Sequence, residues 1–170
     1  MLHGIEFFTA TCLNWQPLLV PDERKDIVMD SLKFMVQDNR IWLYAFVIMP
    51  NHIHLIWRRR DDWINKNIEQ MFLKFTAQQI KFRLVETAPE ELELYRSTQT
   101  DRKYHFWERR PFKATMYNRK VANQKLEYIH YNPVKAGLCN LSEDYTYSSA
   151  RYYELNKDDW GFITHYEEHL

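Results

Sequence analysis

His52-Ile53-His54 sets two imidazoles on either side of one isoleucine. Side chains of an extended chain alternate faces, so both histidines point the same way, roughly 6.5–7 Å apart, and can share one divalent cation. Ile53 then points into the core from the opposite face. Taken alone, the triplet reads equally well as a solvent-exposed pair at a strand start. The second segment with chemistry in it is LEYIHYNPVKAGL, Leu126 to Leu138. On a helix, Tyr128 and Asn132 are four positions apart and share a face, Tyr131 sits beside them, and His130 turns away as a structural residue. A phenol and an amide can thus face the same cation. Asn132 has a second reading, because the residue before a proline avoids the helical region and Asn-Pro is a common helix start. It can cap a turn that Gly137 closes.

These residues need elements to hold them. Ile5 to Leu13 is rich in aromatic and β-branched residues, and Ile41 to Met49 reads as a strand buried on both faces. Pro50-Asn51 supplies a turn, after which His52 to Arg60 resumes a strand, so the two runs form a hairpin. Between the first two strands, the apolar positions after Asp22 repeat at helical spacing up to about Asn39. A second helix is expected from Trp63 to about Leu84. The polar, acidic stretch 86–103 reads as a loop or short helical insertion that few core contacts cross. A strand over roughly Tyr104 to Met116 and a helix from about Asn118 to Tyr131 complete an α+β order that suits an antiparallel sheet covered by helices.

Composition narrows the class. With 45% apolar residues and only three glycines among 170, the chain can bury a core and is neither disordered nor linker-like. Cys12 and Cys139 are too few for a disulfide framework, which fits a reducing compartment. Met1 to Glu6 shows no basic region before an apolar run, and the longest apolar run, Trp42 to Met49, is far shorter than a membrane span. A cytoplasmic protein without a membrane partner is expected. Basic and acidic residues balance at 23 each, which removes the long-range attraction that many nucleic-acid binders use. The charge is uneven, however. Residues 101–125 hold eight basic and two acidic side chains, whereas 143–170 hold two basic and seven acidic. Arg58, Arg60, Arg109, Arg110 and Lys113 are the candidates for contacting phosphates, with Arg59 facing away.

Three stretches carry a family resemblance: AFVIMPNHIHLIW (Ala45 to Trp57), Phe106-Trp107-Glu108, and YIHYNPVKAGL (Tyr128 to Leu138). In this order they resemble the REP-associated tyrosine transposases, relatives of the smallest insertion-sequence transposases in the single-tyrosine HUH superfamily. Tyr147-Ser148-Ser149-Ala150 continues the likeness, which spans about Ile5 to Tyr153. The resemblance implies a ferredoxin-like α+β fold with the HUH pair on a central strand, residues 1–153 forming the catalytic domain and 154–170 an acidic tail. It implies His52 and His54 as metal ligands with Asn132 as the third, and Tyr128 as the nucleophile on single-stranded DNA beside a hairpin. The stretch 86–103 and the tail depart from the pattern, which touches DNA specificity rather than chemistry.

A free phenol titrates near 10 and attacks a phosphodiester poorly unless a cation orients the phosphate. Two imidazoles and an amide suit Mg²⁺ or Mn²⁺, with Mn²⁺ the better match to histidine. The expected activity is metal-dependent nicking and rejoining of one DNA strand through a 5′-phosphotyrosine, by a monomer or a homodimer. Two other readings stay open. One is a DNA-hairpin-binding protein that keeps the fold without strand transfer. The other is a metal-dependent hydrolase using water, although no Asp or Glu adjoins the His pair as a base.

Overall fold

The computed structural model describes residues 4–169; Met1 to His3, part of the start read above, and Leu170 lie outside the described residues. Four strands form one sheet in the order β2-β3-β1-β4, and every neighbouring pair is antiparallel. β1 is Ile5–Thr11, β2 Ile41–Ile48, β3 His52–Arg59 and β4 Phe112–Thr115. Helix α1 (Asp22–Gln37) links β1 to β2, and α2 (Ile68–Thr87) links β3 toward β4. This β-α-β-β-α-β order with strand 1 beside strand 3 is the ferredoxin-like arrangement. β3, which begins at His52, lies in the middle of the sheet.

Strand alternation divides the interior in two. Phe8, Ala10, Ile53, Leu55 and Trp57 face α1 and α2, where Leu32, Phe72 and Ile80 pack on them. Ile5, Phe7, Val47 and Ile56 face the other way, toward Ala122 and Ile129 of α4 (Arg119–Lys135). A bulge between Leu43 and Ala45 puts both Tyr44 and Ala45 on the α4 side. Ile53 is fully buried on the α1/α2 side, so the even-numbered residues His52 and His54 emerge on the α4 side.

Several expected boundaries move. The second helix starts at Ile68 rather than Trp63, because the Asn67 side chain accepts from Gln70 N–H (3.1 Å) and caps it there. The stretch 86–103 does contribute to the core. It holds a short helix α3 (Pro89–Leu92), and Leu92 and Tyr95 are buried against the α1/α2 cluster. The expected strand 104–116 shrinks to β4, since the segment before it keeps only isolated bridges, Arg96 to Tyr104 and Cys12 to Trp107. The third expected helix, α4, runs from the Asn118 cap through Pro133 to Lys135, past the expected end at Tyr131.

The outer edge of β2 is covered. Ile48 N–H donates to Tyr147 O (2.9 Å) and Ser149 N–H to Phe46 O (3.0 Å), so residues 147–149 run antiparallel along it. Farther along, Thr164 N–H donates to Leu43 O (2.9 Å). A short α5 (Ala150–Leu155) joins these two covers. The acidic tail places Phe162 and Ile163 in the core, and Trp160 meets Phe46 edge-to-face. Among the described residues, no helix is long and apolar enough to cross a membrane. Because Phe162 is only 8% exposed, Phe162→Ala should destabilise the fold by about 3 kcal/mol; urea unfolding measures this, and a change within ±0.5 kcal/mol would make the tail a mere cover.

Candidate active site

β1 and β3 pair with Thr9 opposite His54 and Thr11 opposite His52. From this register, Thr9 Oγ1 lies 2.7 Å from His54 Nδ1. His52 Nδ1 lies 2.7 Å from the Asn51 carboxamide oxygen, an acceptor only. Nδ1 of His52 therefore carries the proton and Nε2 the lone pair. His54 has the same polarity when its Nδ1–H donates to the Thr9 hydroxyl. Partners of this kind orient a metal-binding imidazole and fix its tautomer. The two ring centroids are 4.8 Å apart.

Helix α4 brings the other groups. Its sequence register keeps Ile129, His130 and Pro133 buried, which turns Tyr128 and Asn132 toward the His pair. The Asn132 amide nitrogen lies 3.5 Å from His54 Nε2 and within reach of the His52 ring. The reading of Asn132 as a cap is corrected by the unbroken helix: the cap is Asn118, and Ala136 N–H donates to Asn132 O within the final turn. Docking of the buried Pro133 outweighs the local preference of the Asn-Pro pair, so the Asn132 side chain is left free. Turning its amide over presents the oxygen to the same space. The Tyr128 ring meets His54 edge-on at 5.2 Å and Phe7 at 6.1 Å, and Phe7 stacks on His54 at 5.4 Å. Tyr128 is 47% exposed, reachable by a large substrate.

Burial lowers the pKa of both imidazoles, and the charges of His52 and Lys125 add to the effect on His54, which falls to about 3. Both rings therefore stay neutral, as metal ligands must be. Two imidazole nitrogens and an amide form a donor set for a divalent cation of intermediate hardness. Among the described residues, no cluster of three His, Cys, Asp or Glu side chains offers another. The sequence reading omitted Lys125, whose Nζ lies 4.7 Å from the Phe7 ring centre and 5.6 Å from that of Tyr128. Its position, three residues before Tyr128 on a helix, was the available signal.

The other expected site residues scatter. Arg58 stays on the His face but sits four residues, about 13 Å, along β3 from His54, with Ile56 between. Arg60 falls beyond the strand, its guanidinium 3.8 Å over the Trp42 ring. Arg59 turns away, its Nη2 donating to both carboxylate oxygens of Glu69 at 2.7 and 2.6 Å. Lys113 also reaches Glu69 (3.5 Å), on the face opposite the histidines. Arg109 and Arg110 follow Glu108, whose N–H donates to Thr11 O (2.7 Å). They therefore leave the sheet at the His52 end, with Arg109 paired to Asp101 at 2.9 Å. A cleft of about 840 Å³ between α2 and residues 101–113 carries Lys74, Lys81, Arg102 and Lys103, on the side away from Tyr128.

His130 holds α4 in place. Its Nε2 is 2.7 Å from Ser149 Oγ, which also accepts from Phe46 N–H (3.0 Å). Burial lowers its pKa from an ordinary 6.5 to about 4. Between these values the unfolded chain takes up a proton that the folded one refuses, so stability falls as pH drops from 6.5 toward 4, by up to about 1.4 kcal/mol per pH unit. Ser149→Ala should cost about 1–3 kcal/mol by stranding His130 and the Phe46 amide; denaturant titrations at pH 7 and pH 5 test both, and a flat pH profile would contradict the first.

No protein-family model matches the chain. A Haemophilus influenzae (strain Rd) protein described as "Putative REP-associated tyrosine transposase" is 32% identical over 123 residues, covering 69% of this chain and 65% of that protein. The match thus spans just under two thirds of the relative's length. The solved structure of a REP-associated tyrosine transposase bound to a REP hairpin superimposes with a TM-score of 0.64 at 18% identity, covering 96% of this chain and 87% of that one. The latter likeness is one of fold.

Proposed function

This chain is related in sequence and in fold to the REP-associated tyrosine transposases, and from that kinship we propose that it nicks and rejoins single-stranded DNA, with Tyr128 as the nucleophile. The observation that carries the reading is the meeting of the exposed Tyr128 ring, the two neutral imidazoles and the Asn132 amide in one place. His52, His54 and Asn132 would hold Mg²⁺ or Mn²⁺, which when bound polarises and orients a scissile phosphate. The Tyr128 oxygen attacks phosphorus in line. The O–P bond to tyrosine forms, the bond to the 3′-oxygen breaks, the phenol proton is released, and the 3′-oxygen takes up a proton. A 5′-phosphotyrosine and a free 3′-hydroxyl result. The bond energy is retained, so the reverse attack reseals the strand without ATP. Lys125 places a positive charge beside the reacting groups and offsets the charge gathering on phosphate.

The substrate we assign is single-stranded DNA next to a short hairpin, since the solved relative holds a REP hairpin. We place the protein in the cytoplasm, consistent with two unpaired cysteines. A hydrolase using water is disfavoured because no carboxylate adjoins the His pair within the described residues.

Tyr128→Phe should abolish the covalent adduct with labelled single-stranded DNA from the gene's own flanks in Mn²⁺, leave binding nearly unchanged, and differ from Tyr131→Phe, which should remain active. His52→Ala and His54→Ala should each remove metal-dependent cleavage, with a smaller loss, roughly ten-fold, for Asn132→Ala. Full cleavage in EDTA would defeat the metal assignment. Binding should weaken with salt, and Arg109→Ala or Arg110→Ala should shallow the slope of log K against log salt by about 0.7 per lost phosphate contact, more than Arg58→Ala does; an equal or larger change for Arg58→Ala would overturn that ranking.

A further inference from the structure

Trp15 is 62% exposed, although indole is among the largest apolar side chains. It and Asn14 both hold left-handed backbone angles, φ 56° and 53°. Asparagine tolerates that conformation, but a bulky residue such as Trp15 keeps it only where its surroundings enforce it, and such residues cluster at functional sites. Here the anchors are explicit. The Glu108 carboxylate accepts Asn14 N–H (2.7 Å), Phe106 O accepts Leu13 N–H (2.8 Å), and Asn51 O accepts Cys12 N–H (2.9 Å). Trp107 is buried, and its indole N–H donates to Thr76 Oγ1 (3.1 Å). Phe106-Trp107-Glu108 is therefore a buttress for a strained turn, and what the turn presents is the Trp15 ring, 6.0 Å from His52 and edge-to-face with it.

Tyr128 meets His54, and Trp15 meets His52. The order of contact is thus Trp15, His52, His54, Tyr128, with indole and phenol flanking the pair. We propose, resting on the strand-transfer reading above, that Trp15 is the stacking platform for the base of the nucleotide whose sugar carries the leaving 3′-oxygen. In-line displacement puts the entering tyrosine oxygen and the leaving 3′-oxygen on opposite sides of phosphorus. With the phosphate over the His pair and Tyr128 on one flank, the departing sugar lies on the Trp15 flank. Once the tyrosine–phosphorus bond has formed and the phosphorus–3′-oxygen bond has broken, no covalent bond holds that strand. Stacking on Trp15 retains its 3′-hydroxyl for the reverse attack, and tolerates any base because each has a π-face.

The test uses the non-cleaving Tyr128→Phe protein and single-stranded oligonucleotides from the gene's flanks, each with one abasic position, read by fluorescence anisotropy. Trp15→Gly is the informative variant, because glycine adopts the left-handed angle freely and only the ring is lost. Thermal unfolding checks that its fold is kept. Trp15→Gly should weaken binding to the intact strand roughly ten-fold. It should cost nothing further on the one strand lacking the base immediately 5′ of the phosphate that the Tyr128 protein cleaves, and Trp15→Phe should recover most of the loss. An equal loss on every abasic strand, no loss at all, or dependence on a base 3′ of the cleaved phosphate overturns the assignment. Failure of the Tyr128 protein to form any adduct defeats the strand-transfer reading and the leaving-strand assignment with it. Base-dependent binding through Trp15 is read separately in the same scan.

Discussion

One register sets the site: Thr9 of β1 opposite His54 of β3. Slipping it by a single residue would take Ile53 and Leu55 out of the α1/α2 core, turn them toward α4 and put both imidazoles under α1 and α2, because the side-chain period of a strand is two. The cost of unpacking Ile53, Leu55 and Trp57, all but fully buried, and of setting two imidazoles in their apolar place therefore defends the chemistry. The same pairing gives His54 its Thr9 partner and brings Phe7 under the ring. Orientation of the metal-facing nitrogen is thus a by-product of core packing, not a separate device.

The helix opposite is fixed by a different logic. Apolar contacts alone leave a helix some freedom to slide, and α4 presents only Ala122, Ile129 and Pro133 as buried apolar residues. The added polar lock is the His130–Ser149–Phe46 chain. It is directional, and in a buried setting each member is costly to leave unpaired. Through it, a segment after the helix decides where Tyr128 and Asn132 point. Tyr147-Ser148-Ser149 thereby serves the site without touching it, covering the β2 edge and clamping α4 together.

Much of this was legible in the sequence, and the failures share a cause. The His pair, the hairpin and the helical spacing of Tyr128 and Asn132 follow from periodicity, which local sequence encodes. The role of Asn132 was ambiguous because a rule for the residue before proline competes with docking of Pro133, and only tertiary contacts decide that contest. Leu92 and Tyr95 sit in a polar stretch whose average hid two core residues. The tail misleads likewise, its seven-to-two acidic excess over 143–170 masking Phe162 and Ile163. For the arginines, residue type announced charge but not direction. Pairing with Glu69 and Asp101 and packing over Trp42 set the directions, and those partners sit on neighbouring elements, outside the reach of strand periodicity. Trp15 carried no local mark at all, since its exposure goes with backbone angles anchored by Glu108, a residue adjacent in space but more than ninety positions later in the chain.

The covered edge of β2 has a temporal side. Phe46 and the Ser149 that caps it are 103 residues apart. At ribosomal speeds of roughly 5–20 residues per second, the strand waits on the order of 5–20 s for its cover to be made. Through that interval an almost wholly apolar strand, IWLYAFVI, has one unpaired ladder of amides and carbonyls, the kind of surface that recruits other strands. The nascent chain is thus at greatest risk of misassociation before Tyr147 to Ser149 emerges, so its yield in a cell should be sensitive to translation rate and chaperone supply even while the finished protein is sound.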